Sequence, residues 1–545
     1  MKTPLSFSAV LLVILMSCNA QKGQVDLILS KGKIYTVDSE FSIAEAIAIK
    51  DNRIVAVGST SEILGKYSAD EVRDLEGKFV YPGWIDAHCH FFGYGMNLNA
   101  VDVAGTTSVE EIIEVLKDFH KKNPGTWITG RGWDQNDWEL KEFPDRSMLD
   151  KHFPNTPILL RRIDGHAAWA NSKALEIAGV NARSKVDGGS VLLSKGEPSG
   201  ILIDNAIGLV ASKIPAATEK EMIQALQQAE ISCFSVGLTS VQDAGLSRRV
   251  VELIDSLHRA DALKIRMSTW LSPSRENFAH FVEKGPYRTD YLSVNTIKLF
   301  TDGALGSRGA RMIEAYSDDP GNLGLYVTPL EDLEKYCRKA YEHNFAVATH
   351  CIGDGANRET LKIYADVLGG KNDRRWRIEH AQIIHPDDFH YFGDYSIIPS
   401  VQTTHATSDM YWAEDRVGTE RLKGAYAYRQ LLEQNGWLPN GSDFPVEQIN
   451  PLFGFYAAVV RKDQAGFPEE GFQMENSISR EEALRAMTIW AARSTFEEDI
   501  KGSIEPGKLA DLVITSKDLM SAPESELFRI RVDATYSGGE LVYSP

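Results

Sequence analysis

Two histidines one residue apart close the apolar run Tyr81-Pro-Gly-Trp-Ile-Asp-Ala-His-Cys-His90. In an extended strand, residues i and i+2 point to the same side. His88 and His90 can therefore offer two neutral imidazole nitrogens to one metal ion, a donor set suited to zinc. Other ionisable residues interrupt or close later apolar runs: Lys298 in Ile297-Lys-Leu-Phe-Thr-Asp-Gly303, His350 in Ala348-Thr-His-Cys-Ile-Gly-Asp354, His380 in Arg377-Ile-Glu-His-Ala-Gln382, and Asp443 in Asn440-Gly-Ser-Asp-Phe-Pro445. A lone strand-end histidine is ordinarily hydrogen-bonded structure. Four histidines, a lysine and an aspartate, each at a strand end, instead predict metal-assisted chemistry.

The elements that must hold them are short apolar runs at 79–90, 238–243, 265–271, 294–302, 345–351, 375–381, 397–404 and 438–444, with helical stretches between most of them. This is the pattern of a parallel sheet covered by helices. Eight runs predict an α/β fold with a closed (β/α)8, TIM-type barrel over 80–499, whose chemistry sits at the C-terminal strand ends. The interval between the first two runs is too long for one loop. Residues from about 100 to 220 therefore form an inserted subdomain carrying Trp127-Ile-Thr-Gly-Arg-Gly-Trp133 and Leu159-Leu-Arg-Arg-Ile-Asp-Gly-His166. Alternating runs at 24–79 and again at 500–545, including 510–515, 528–532 and 540–543, predict antiparallel strands of one β-sandwich that the chain leaves and re-enters. Gly502-Ser-Ile-Glu-Pro-Gly-Lys508 is not a phosphate loop, because Leu509 stands where a hydroxyl must hold magnesium and a strand follows in place of a helix.

The chain of 545 residues is 43% hydrophobic and 25% charged, the composition of a globular protein with a large core. Its formal net charge of -18, with no basic cluster, argues against nucleic acid as a partner. Residues 1–20 carry one lysine, a short apolar run and Ser17-Cys18-Asn19, the order of an export signal, and too short for a membrane span. Leu15-Met16-Ser17-Cys18 resembles a bacterial lipoprotein cleavage box, which would lipidate Cys18; simple cleavage after Ala20 is the alternative. The expectation is an exported protein, periplasmic or lipid-anchored to a bacterial membrane, touching that membrane only through the anchor. The remaining cysteines make no disulfide framework, and Cys89 and Cys351 read as small apolar fillers facing away from their histidine neighbours. The expected partner is a small-molecule substrate; a homodimer is left open.

These motifs, with the Ile504-Glu-Pro-Gly-Lys-Leu-Ala-Asp511 exit, resemble the amidohydrolase superfamily, and within it the branch that includes N-substituted formamide deformylases and related amide hydrolases. The resemblance covers nearly the whole mature chain. It implies that His88 and His90 bind one zinc and His350 and His380 a second, and that Asp443 contacts the first zinc and the attacking water. It also implies that Lys298, carboxylated by carbon dioxide, bridges the two. One ion, or another divalent metal, is the variant left open. In that scheme zinc lowers the pKa of bound water toward ~7 and polarises a carbonyl, and Asp443 is the general base.

Further candidates are weaker. His405, past the seventh run, could hydrogen-bond a carbonyl oxygen in the transition state. Trp133, Asp134 and His166 in the insert could cover the substrate, and Asp302 and Arg308 on the loop after Lys298 could bind a polar substrate group; each has a packing or loop-capping role as its alternative. The expected activity is zinc-dependent hydrolysis of an amide, such as an N-acyl or N-formyl amine or a cyclic amide. A lactone, ester or phosphoester hydrolase with the same metal centre is the alternative, and an exported metal-binding protein without catalysis comes third.

Overall fold

The computed structural model describes residues 22–545, so the expected export signal and Cys18 lie outside the described residues. Seven parallel strands run in chain order around a nearly closed barrel sheet: β1 (Trp84–Cys89), β2 (Leu238–Leu246), β3 (Arg266–Leu271), β4 (Leu292–Phe300), β5 (Ala346–Cys351), β6 (Arg377–His380) and β7 (Ile398–Ser400). Every residue of β1, β3, β5, β6 and β7 is buried, as a sheet covered on both faces requires.

Two expectations change here. The first run is two strands: Phe79–Pro82 pairs with Leu512–Thr515 in another sheet, and β1 begins after Gly83. A Cβ on Gly83 would lie 2.2 Å from Thr239 Oγ1, so only glycine lets the chain pass this close to β2. The eighth run is not a strand. Residues 438–444 form an irregular segment that closes the gap through Gly441 N–H to Val401 O (3.0 Å) on the β7 side and Asp443 N–H to His88 O (2.7 Å) on the β1 side. Pro439 and Pro445 remove ladder donors, and a Cβ on Gly441 would meet His88 N at 2.3 Å, so only glycine lets the segment pass this close to β1.

Between β1 and β2 lie helix Phe91–Asn97, then a six-stranded mixed sheet, then helix Glu219–Ser235. The sheet runs in the order Gly189–Ser194, Glu197–Asp204, Ala167–Ala170, Ile158–Arg162, Ile128–Trp133, Val101–Asp102. It has its own apolar core, including Ile112, Leu116, Leu149, Leu160 and Trp169.

The chain ends form two further sheets. One holds Gly23–Ser30, Ala46–Lys50, Arg53–Gly58 and Tyr67–Asp74; the other joins Lys33–Tyr35, Ile43–Ala44 and Phe79–Pro82 to Leu512–Thr515, Val532–Ser537 and Glu540–Tyr543. Leu27, Ile34, Ile47, Leu512, Ile514 and Tyr536 share one core between them. The strands are not all antiparallel: Gly23–Ser30 pairs parallel with Tyr67–Asp74, reached through helix Thr60–Lys66, and Lys33–Tyr35 pairs parallel with Phe79–Pro82. The run at 528–532 is also different. A 3-10 helix, Glu524–Arg529, turns Phe528 onto the ring of Tyr456 (4.9 Å between centroids), and the strand starts only at Val532. Among the described residues the four cysteines are free and buried, and no helix is long and apolar enough to cross a membrane.

Asp518 fastens the two ends together. Its carboxylate accepts from Lys33 Nζ (2.8 Å), Tyr35 Oη (2.9 Å), Ser521 Oγ (3.0 Å) and Tyr81 Oη (3.3 Å). Burial pushes this carboxyl up, but Lys33 and the other donors outweigh burial and hold it below the ordinary carboxylate value. A depressed folded pKa contributes stability above the unfolded pKa and loses it as pH falls through the folded one. Asp518→Asn is expected to lower stability at pH 7 by about 1–3 kcal/mol, with the gap to the parent closing below pH ~4. Urea unfolding at the two pH values checks this; equal midpoints at pH 7 would contradict it.

Candidate metal centre

The C-terminal ends of the barrel strands converge on Asp443. His88 at the end of β1 places Nε2 3.6 Å from Asp443 Oδ1, and His90, just beyond, places Nε2 3.3 Å from the same oxygen. His88, His90 and Asp443 form one group of three donors lying within 4.8 Å of one another, and His380, His405 and Asp443 form a second. Lys298 on β4 is buried, with Nζ 3.3 Å from His88 Nε2. His350 on β5 meets His380 edge to face, 4.6 Å between ring centroids, and its Nε2 lies 3.4 Å from Gly303 O. The structure thus gathers all six expected donors at one rim, but it is His405, not His350, that completes a three-donor group with His380.

Burial sets the charge of these groups. It lowers His88 to about 4, with the Lys298 charge adding to the effect, and drives His350 and His380 well below the usual histidine value. Burial also lowers Lys298 to about 8. Asp443 behaves oppositely. Burial opposes its charge, yet His405 and His90 beside it hold the carboxyl well below the ordinary range. His405 is desolvated too, but its contacts with Asp443 and with Glu447 (Nδ1 to Oε1, 3.1 Å) outweigh this and raise it to about 10. The neutral imidazoles of His88, His350 and His380 beside an ionised Asp443 are the protonation states that a divalent cation requires, whereas a protonated His405 offers it no lone pair. Asp443 Oδ1 and His380 Nδ1 are buried without a hydrogen-bond partner, so this donor set fits a metal ion. His380 and Asp443 also hold positive φ angles of 70° and 60°, strain of a kind concentrated at functional sites.

The supporting shell was not legible in the sequence. Glu379 accepts a short hydrogen bond from His88 Nδ1 and is itself held by Arg377 Nε (2.6 Å). Against the burial penalty, Arg377 and His88 lower its carboxyl to about 2. Glu379 precedes His380 in strand β6, whose four residues Arg377-Ile-Glu-His380 are all buried, and an acidic residue in a barrel strand was the available signal.

The cleft above these residues, about 210 Å³, is lined by Asp134, Asp164, His166, His405, Asp409 and Glu447, with the insert supplying the first three. His166 contacts the Asp204 carboxylate (2.6 Å) and lies tilted against His350, 4.8 Å between centroids. Asp134 lines the cleft but is engaged by Arg162 and caps Asn136 N–H. Three expected substrate contacts are placed elsewhere. Trp133 is wholly buried in the core of the insert, its Nε1 donating to Leu160 O. Asp302 is buried and accepts from the N–H groups of Arg311, Ile352 and Gly353, tying its loop to the segment after β5. Arg308 pairs with Asp318 at 2.9 Å, away from the cleft lining.

A nearly closed parallel barrel with a histidine and carboxylate cluster at the C-terminal strand ends defines a metal-dependent hydrolase. The profile of the amidohydrolase family matches residues 71–543, and the chain belongs to that family. It is 36% identical to the protein LONG AFTER FAR-RED 3 of Arabidopsis thaliana over 95% of this chain and 91% of that protein. It is 27% identical to the N-substituted formamide deformylase of Arthrobacter pascens over 95% of this chain and 98% of the enzyme. Among solved structures, an uncharacterized metal-dependent hydrolase from Pyrococcus horikoshii matches with a TM-score of 0.75 at 27% identity, covering 92% of this chain and 99% of that one.

Because Glu379 orients His88, Glu379→Gln is expected to weaken divalent-metal affinity about 10- to 100-fold. Chelator competition measures this; unchanged affinity would contradict the orienting role.

Proposed function

We propose that this protein hydrolyses an amide C–N bond of a small molecule at the Asp443 centre of a (β/α)8-type barrel, with zinc as its metal. The observation that carries the reading is the convergence of His88, His90 and His405 on one buried carboxylate whose Oδ1 has no hydrogen-bond partner. The Arthrobacter relative, a formamide deformylase, supports the choice of bond. His88, His90 and Asp443 would hold one ion, with His350, His380 and Lys298 available to a second. Bound zinc supplies Lewis-acid polarisation and a water of lowered pKa.

The chain's own residues do the rest. Asp443, ionised and desolvated, receives the proton of the attacking water and passes it to the leaving nitrogen. His405, protonated between Asp443 and Glu447, donates to the carbonyl oxygen as charge develops there. Lys298, lowered to about 8 by burial, keeps a neutral fraction near pH 7. Its amine nitrogen can then add to carbon dioxide with loss of one proton, giving an anionic oxygen donor in place of a cation. The Glu379 contact holds the proton of His88 on Nδ1 and leaves Nε2 free as a donor.

Protein stripped by a chelator is expected to lose hydrolysis of N-formyl and N-acyl amines and to regain it with zinc. Asp443→Asn is expected to lower kcat by about 10²- to 10⁴-fold. Full turnover by the metal-free protein, or turnover of lactones or phosphotriesters with none of amides, would overturn the proposal.

A further inference from the structure

Two arginines in a second space, which adjoins the cleft and opens on the same centre, have no role in the chemistry above. Arg131 and Arg161 lie on neighbouring parallel strands of the insert, directly opposite one another in register. Both line a space shared with His90, Lys298, His380 and Asp443. Like charges facing each other across strands are destabilising unless something negative lies between them. Among the described residues, neither guanidinium has a carboxylate within ion-pair distance. The nearby acids are committed: Asp134 and Asp164 to Arg162, and Asp204 to His166.

The local geometry keeps this pair open. Arg131 donates from Nη2 to Ile163 O (2.6 Å), while its Nε is buried without a partner. Its guanidinium lies against Gly165, where a Cβ would come within 3.3 and 3.4 Å of the two terminal nitrogens and where φ is +78°. A side chain at that position would crowd the guanidinium. Arg161 makes no side-chain hydrogen bond to any described residue, and the loss of water alone lowers it from its usual value. Arg131 feels the Asp443 and Asp164 carboxylates only at a distance, and Arg161 has no acidic neighbour acting on it. Two forked donors, partly stripped of water and in contact with no carboxylate, beside a hydrolytic centre form a receptor for a planar anion.

We propose that Arg131 and Arg161 bind a carboxylate on the substrate, so that the amide hydrolysed is that of an N-acyl amino acid. This deepens the C–N hydrolase reading and rests on it. The carboxylate lies against the insert, the scissile amide lies over Asp443, and the acyl group extends into the cleft. Neutral formamides of similar size lack the group that these arginines are built to meet.

The test uses the zinc-loaded full chain with N-formylphenylalanine and N-formylphenylalaninamide, which share a shape and differ in charge. The acid is expected to have the higher kcat/KM by about 10- to 100-fold, the range set by charged hydrogen bonds. Arg161→Met should collapse that ratio toward one, chiefly through KM, and Arg161→Lys should restore part of it. Calorimetric titration with 3-phenylpropionate, which has no bond to cleave, gives a second readout, and its affinity should fall in Arg161→Met. Equal kcat/KM for the two formamides, or an unchanged 3-phenylpropionate affinity in Arg161→Met, overturns the inference and leaves the amide-hydrolase reading standing. Arg161-dependent binding of 3-phenylpropionate without turnover of either formamide upholds the anion site and overturns the choice of bond.

Discussion

The contact between Arg377, Glu379 and His88 is the constraint on which the site depends. A buried carboxylate is tolerated only when it is paired and fully hydrogen-bonded. Here Arg377 donates from Nε to Glu379, and its remaining nitrogens reach Gln242 on β2, Ala87 O on β1, Ser400 at the end of β7, and Ser494. One guanidinium thus ties together strands that meet nowhere else in sequence. Breaking a buried pair of this kind by removing one partner typically costs about 3–5 kcal/mol. In return Glu379 fixes the ring of His88, and the position of His88 Nε2 sets the distance to both Lys298 and Asp443.

From that fixed point the charge pattern follows. The imidazoles of His88, His350 and His380 are kept neutral by burial, and Asp443 is kept ionised by His405 and His90. The irregular segment at 438–444 does what a regular eighth strand could not: it reaches both barrel edges and still turns Asp443, at φ 60°, toward the histidines. The insert completes the cleft from above with His166 and Asp164, and the adjoining space with the two unpaired arginines.

The donor residues were legible because each breaks an apolar run at its end, and eight such runs have few ways to be arranged. Their partners were not. Glu379 lies 291 residues from His88, so no local pattern links them. The expectation that Trp133 meets substrate rests on the resemblance of its insert motif, and that for Asp302 and Arg308 on their following Lys298 in the chain. In space, the indole fills the core of the insert, the carboxylate answers three backbone N–H groups, and the guanidinium meets Asp318. The eighth run departs from a regular strand for a local reason: Pro439, Gly441 and the flanking Pro445 outweigh its apolar character. Arg131 and Arg161 were visible as charges in otherwise apolar strands, but only the register shows that they face each other.

The most direct test is anomalous diffraction at the zinc edge from crystals of the zinc-loaded protein. The account predicts a zinc ion in contact with His88, His90 and Asp443. Zinc bound elsewhere, with the Asp443 carboxylate contacting only protein atoms, would contradict it.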